Sequence, residues 1–331
     1  MSRVPHADDH DLFVGLETGR AVPRVAYAIA KQTFRIGDAG LELIDVRPLR
    51  HDLATMRSEQ KLPRGSDFWW QKQRTDVVVE GAAWAPGGRP VSRAEVVCRV
   101  GAREKRIAVI GRRFVEYSSS GRAYASPPEP FSAIPLDDEH AYGGFDPRVP
   151  FVFSSDPNEL VAELGDHPGF YPRNPVGRGY LVMPERTEGV ELPNLEDPDD
   201  LLDDDRLVVG DPAGWHRQPL PWTLGWQHAM ALTRLSHLGL DAHTPLAAAA
   251  ELTEVQRGYL PVDYRGRERP GFHQEASLGM TFEPLAAGTP IVLSGVHRER
   301  HEIRFDIPPA PSLSVEVEGT NHAEARLTGV V

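Results

Sequence analysis

The amino-acid sequence predicts an α+β protein that is predominantly β: two antiparallel, β-sandwich-like sheets joined by a long irregular segment, with a helical insert near 224–260. Three observations carry this. Apolar and polar residues alternate with period two over much of 25–115 and again after 276, the signature of strands buried on one face. Between 118 and 221 proline and glycine become dense and the periodicity fades. Only 224–260 has helical spacing, with an alanine-rich run in its second half.

The strands of the first region are expected at 25–34, 41–46, 77–84, 94–100 and 106–115. Gly37-Asp38, Pro86-Gly87-Gly88 and Gly101-Ala102 lie between them and supply the backbone freedom of tight reversals, so neighbouring runs are expected to pair antiparallel. Cys98 is the only cysteine, which rules out an internal disulfide, and its place in an alternating run reads as a buried strand thiol.

In 118–223 the sequence opens one short helix at 158–164, after Asp156-Pro157, and is otherwise irregular. Its many aromatics, among them Tyr142, Phe145, Phe170, Tyr171 and Tyr180, oppose disorder and predict an ordered segment packed over the sheets. The acidic run from Glu196 to Asp205 lacks the central glycine and distal glutamate of a calcium loop and reads as a solvated acidic loop.

Over 224–260, Leu232, Leu235, Leu238 and Leu240 fall at helical spacing, and Gly239 to Thr244 would end one helix and cap the next. Strands return at 278–282, 291–296, 302–307, 313–317 and 323–328. The organisation is thus an N-terminal β region at 1–117, an irregular bridge at 118–223, a helical insert at 224–260 and a C-terminal β region at 261–331, or all four as one continuous domain.

Composition bounds the function. With 331 residues, 40% of them hydrophobic, the chain can bury a full core without disulfide or metal staples. Its 36 basic and 48 acidic residues give a net charge of −12, which opposes binding to a phosphate backbone, so no nucleic acid partner is expected. The opening residues lack the apolar core of a signal peptide and no apolar run approaches membrane-spanning length, which predicts a cytoplasmic protein with no membrane partner.

The search for chemistry finds no constellation. His6 and His10, and His297 and His301, share i, i+4 spacing, but the second pair is expected between strands, where such residues stand about 13 Å apart if extended. Serine-nucleophile, dinucleotide and phosphate-loop motifs are missing, and Ser118-Ser119-Ser120-Gly121 reads as a hairpin tip. No metal and no cofactor is expected.

Backbone-shape motifs stand out instead: Ala141-Tyr142-Gly143-Gly144 and Asn174-Pro175-Val176-Gly177-Arg178-Gly179-Tyr180, with glycines for close approach and Asn-Pro for an extended entry. Adjacent Trp69 and Trp70 point to opposite faces of a strand, so one of them is a candidate interface residue.

These motifs, in order with Lys31-Gln32-Thr33-Phe34, Ser66-Asp67, Lys72, Thr75-Asp76-Val77, Gly81-Ala82-Ala83-Trp84-Ala85-Pro86, Gly111-Arg112-Arg113, Pro130-Phe131 and Leu192-Pro193-Asn194-Leu195, resemble the bacterial domain-of-unknown-function family 2169, encoded beside type VI secretion spike and effector genes. The resemblance implies a non-enzymatic adaptor or chaperone that holds a cognate toxic effector and helps load it onto the VgrG spike. Tyr142, Gly143, Gly144, Asn174, Pro175, Gly177, Arg178 and Gly179 would then be fold determinants, and Trp69, Trp70, Leu232 and Leu235 the candidate partner-binding residues. Two rivals stand beside it: a hydrolase or lyase with an unrecognised carboxylate and histidine site, and a structural component of an injection apparatus.

Overall fold

The structure is a computed structural model that describes residues 11–19, 22–37, 40–44, 74–146, 169–182, 188–207, 212–227, 231–234, 275–309, 313–315 and 323–325. It is mainly β. Its described strands fall into one five-stranded sheet and seven two-stranded ones, nearly all antiparallel. The chain divides into two compact units, Met1–Thr75 with Phe282–Ile291 and Arg304–Val331, and Asp76–Thr281 with Val292–Ile303.

In the first unit β1 (Asp11–Gly19) and β2 (Val22–Lys31) form an antiparallel hairpin, and β3 (Thr33–Gly37) pairs with β4 (Gly40–Ile44) from Thr33 opposite Ile44 to Gly37 opposite Gly40. The alternation expected as one strand over 25–34 is therefore two strands broken at Gln32, and β3 and β4 pair antiparallel as expected, up to Gly37 opposite Gly40. β1 has no counterpart in the sequence reading. Gly15 and Gly19 weaken its strand character, and Leu12, Val14 and Leu16 offer too short an alternation to stand out.

The second unit is built on a hairpin of β7 (Arg93–Val100) and β8 (Arg103–Ile110), in register from Arg93 opposite Ile110 to Val100 opposite Arg103. Gly101, at φ 56°, takes the turn position that L residues resist. Val96, Cys98 and Val100 on β7, and Lys105, Ile107 and Val109 on β8, are buried. The other face carries the cross-strand ion pairs Arg99–Glu104 and Arg106–Glu95, exposed and worth little. The sheet order is β14 (Leu195–Glu196), β8, β7, β16 (Pro290–Ser294), β17 (Glu302–Asp306).

Of the remaining strands, β5 (Thr75–Asp76) pairs with β15 (Thr281–Phe282), and β18 (Leu313–Val315) with β19 (Ala323–Ala325). β9 (Val115–Tyr117) and β10 (Ala123–Ala125) close over Ser118 to Gly121, the hairpin tip the sequence predicts. The run at 77–84 departs from expectation: only β6 (Ala82–Trp84) is a strand, and it pairs with β11 (Ala133–Pro135) rather than with β7. Pro86-Gly87-Gly88 is a tight 3-10 turn, with Gly87 at φ 63° and Gly88 at φ 70°, but Ala85 N–H bonds Ser132 O and Trp84 N–H bonds Gly295 O. A three-residue strand takes whichever partners complete its hydrogen bonds.

The described residues of the irregular bridge build a core of their own. Tyr142, Phe170, Tyr171, Tyr180, Val182, Leu192, Leu202, Leu207 and Trp215 are buried together with Val115. Each fully buried large apolar side chain contributes roughly 1.5–3 kcal/mol. The bridge also contains a pair of parallel two-residue strands, β12 (Tyr142–Gly143) and β13 (Arg178–Gly179). Within 224–260 the described residues hold one 3-10 turn, Leu232–Arg234, whose Leu232 N–H bonds Pro172 O. The rest of the expected helical insert and the expected helix at 158–164 lie outside the described residues.

Candidate functional site

The two glycine motifs singled out from the sequence meet. β12 and β13 run side by side with Tyr142 opposite Arg178 and Gly143 opposite Gly179. Arg178 N–H bonds Ala141 O at 3.1 Å and Tyr180 N–H bonds Gly143 O at 2.9 Å, while Gly144 N–H reaches Asn174 O at 2.8 Å. The contact is closer than side chains permit. A Cβ on Gly143 would overlap the Asn174 carbonyl oxygen, and one on Gly144 that of Gly177, at φ values of 152° and 96° that L residues rarely adopt.

Asn174 is fully buried and holds the junction with its side chain, donating from Nδ2 to Asp138 O at 2.7 Å and to Tyr142 O at 3.1 Å. Arg178 leans over the outside, with Nε on Glu139 O at 2.8 Å and Nη1 on Glu191 Oε1 at 2.6 Å. Beneath lie three tyrosines and a tryptophan. Tyr142 stands edge-on to Tyr171 at 5.1 Å, and Tyr171 packs on Tyr180 at 5.4 Å and Trp215 at 6.1 Å. Their hydroxyls are placed as well: Tyr142 donates to Gln218 Oε1 and Tyr171 to Pro219 O. Burial pushes all three phenols up, so they stay neutral at physiological pH.

Above this junction opens a cleft of about 330 Å³, lined by Gly144, Phe145, Gly177, Arg178, Leu181 and Val190 among others. Its rim carries Phe145, 57% exposed, although its bridge partner Phe170 is buried. The cleft thus combines a floor of backbone, an apolar wall, the Arg178–Glu191 pair and an exposed aromatic ring, which suits binding.

The family model of DUF2169, uncharacterized protein conserved in bacteria, matches residues 22–331. The chain belongs to this family. No curated protein and no solved structure matches it.

In this DUF2169 protein the motif residues Tyr142, Gly143, Gly144, Asn174, Pro175, Gly177, Arg178 and Gly179 are all gathered at one junction. Leu232 is partly buried against the Trp215 cluster, and Trp69, Trp70 and Leu235 lie outside the described residues. In the sequence Phe145 stands out only as one of the aromatics expected to pack the bridge, and Leu181 and Val190 do not stand out at all. Phe145 lies directly after Tyr142-Gly143-Gly144, and nothing in a linear pattern shows that its ring faces outward.

Elsewhere in the unit one ion pair is buried. Glu196, the first residue of the acidic run, is turned inward against Arg113 and also accepts Leu202 N–H at 2.8 Å. Three more carboxylates of the run serve its own turns, Asp197 accepting Asp199 N–H, Asp203 accepting Arg206 N–H and Asp200 pairing with the Arg206 guanidinium, while Asp204 and Asp205 face Arg122 at 4.0 and 3.6 Å. Among the described residues no three histidine, cysteine or carboxylate side chains cluster as a metal site. His297, between β16 and β17, uses Nδ1 to accept the N–H groups of Glu299 and Arg300.

Lys105 is the most unusual group. It is buried on β8, donates to Thr223 O at 2.7 Å and to Leu278 O, and sits 4.2 Å from the Trp222 ring. Burial pushes its ammonium down to about 7, against the pull of Cys98, Asp138 and Asp197. Cys98, its cross-strand partner, is a buried strand thiol as the sequence predicts, and burial pushes it up to about 11.

Proposed function

We propose that this DUF2169 protein is a non-enzymatic adaptor, or chaperone, that holds a toxic type VI secretion effector in the bacterial cytoplasm and helps load it onto the VgrG spike. The observation that carries the reading is Phe145, an aromatic ring 57% exposed on the rim of an open, glycine-floored cleft. Burying such a ring against a partner is a common way to anchor one protein on another. The junction beneath it, held by the main-chain bonds between 141–144 and 171–180, supplies a platform that needs little ordering on binding. The order of family motifs along the chain adds the secretion context. The same reading retains the finer architecture, two sandwich-like sheets with a helical insert over 224–260, in which Trp69, Trp70, Leu232 and Leu235 extend the partner surface.

The test is affinity capture from the native cytoplasm with this chain as bait, in parallel in a strain without the spike protein, followed by mass spectrometry. One stoichiometric toxin-like partner, retained without the spike and protected from proteolysis by the chain, is the expected result. A folded, monodisperse bait that recovers no such partner overturns the proposal.

A further inference from the structure

Backbone groups of a strand alternate in direction. Gly143 O turns toward 178–182, where it accepts Tyr180 N–H at 2.9 Å; Gly144 turns the other way, donating to Asn174 O and accepting Tyr171 N–H, both at 2.8 Å. Phe145 therefore aims its N–H and C=O back toward 180–182. Its bridge to Phe170 agrees, because the bonds of that bridge belong to the flanking residues, Asp146 N–H to Gly169 O and Tyr171 N–H to Gly144 O.

On that side, however, the two segments have parted. Beyond Gly143 and Gly179 the next bond between them is Val182 N–H to a side chain, Asp146 Oδ2, at 3.1 Å. Among the described residues neither Phe145 nor Leu181 makes a main-chain hydrogen bond, although Leu181 is only 4% exposed. The cleft is this fork, a place where a parallel ladder stops while its donors and acceptors continue. An unpaired donor and acceptor at the edge of a strand is a ready template for a further strand, so a fork of this kind can take an occupant.

We infer that the fork receives an extended polypeptide segment, which pairs with the Phe145 N–H and C=O, seats one aliphatic or aromatic side chain in the cleft and lays another on the Phe145 ring. Strand addition needs such an open donor and acceptor on an edge: it supplies affinity through main-chain bonds while a pocket reads alternate side chains. Gly144 and Gly177 line the cleft with main chain, while the space their missing side chains leave is taken up inside the junction by Gly177 O and by Asn174 and Ala141. Arg178 and Glu191 are paired at 2.6 Å, and Arg112 also lies 3.5 Å from the same Glu191 oxygen, so the carboxylate lining the cleft is already shared by two guanidinium groups. The segment's source, the secretion cargo, rests on the adaptor reading; its mode of binding does not.

The experiment pans a phage library of random linear dodecapeptides against the full chain and measures the enriched peptides by fluorescence anisotropy. Binding is compared for the wild type, Phe145→Ala, and Leu201→Ala, which removes a different exposed apolar side chain. We expect Phe145→Ala to weaken binding about 10-fold or more with an unchanged melting temperature, Leu201→Ala to leave it within about twofold, and N-methylation of one or two alternate peptide nitrogens to cost about 10-fold. Failure to enrich any peptide, equal binding by Phe145→Ala, or indifference to N-methylation at every position overturns the inference. Cargo captured equally by wild type and Phe145→Ala would sink the fork and leave the adaptor standing. Peptide binding at the fork with no cargo in the cell would do the reverse.

Discussion

The Asn174 carbonyl oxygen occupies the space that a side chain on Gly143 would need. The two residues are thirty-one positions apart in sequence, yet the parallel pairing of β12 with β13 and the two bonds from Asn174 Nδ2 press their backbones together. Two motifs that look independent in the sequence are thus one structural object, and everything that lines the cleft hangs from it.

Gly143→Ala should therefore destabilise the protein by about 3 kcal/mol or more, since it combines backbone strain with an overlap on main chain that cannot move aside. Gly87→Ala, at φ 63° with open space around it, should cost only about 1 kcal/mol. Urea unfolding of both variants checks the contrast. Equal losses would mean that the junction yields.

Glu196→Ala should cost about 3–5 kcal/mol because it leaves the Arg113 guanidinium buried without its carboxylate. The paired change Arg113→Met with Glu196→Leu should recover much of that loss. Denaturant midpoints for the single and double variants decide the matter, and a double variant as unstable as the single would sink it.

Lys105 makes stability depend on pH. Its ordinary value is 10.5 and its folded value about 7, so between those limits unfolding takes up a proton and stability rises with pH; below about 7 the full cost of burying the charge is present. Above 9, the Cys98 thiol begins to act the other way, since its folded value near 11 exceeds its ordinary 9.0. The window from pH 7 to 9 should show a rise of up to about 1 kcal/mol per unit in the wild type, relative to Lys105→Met. Parallel slopes for the two proteins would rule out the buried titration.

Tyr142→Phe should remove only the bond to Gln218, a loss of about 1 kcal/mol, and leave partner binding unchanged. A large loss of partner capture at unchanged stability would instead move the binding surface beneath the cleft.

Much of the fold was legible because it is written locally. The β7 and β8 hairpin shows period-two burial and a glycine at its turn, and the tip at Ser118 to Gly121 is similarly local. Pairings between distant segments were not legible. β6 has a proper turn after it and still pairs with β11, and the glycine motifs advertise close approach without naming what approaches. The acidic run from Glu196 to Asp205 looks uniformly solvated as a string, yet Glu196 faces Arg113 in the interior.

By itself the sequence determined the mainly β character, the reversals that need glycine, the buried thiol of Cys98, the packing of the described bridge aromatics such as Tyr142, Tyr171 and Tyr180, and membership of the family through its ordered motifs. Those properties depend on side-chain period, local φ preference and composition, each a function of a few neighbouring residues. Tertiary structure alone decided that Tyr142 to Gly144 meets Asn174 to Tyr180, that Lys105 and Glu196 are buried, and that Phe145 stands on the rim of an open fork. Such outcomes follow from which distant backbones come within hydrogen-bonding distance, and that is settled by how the whole unit packs.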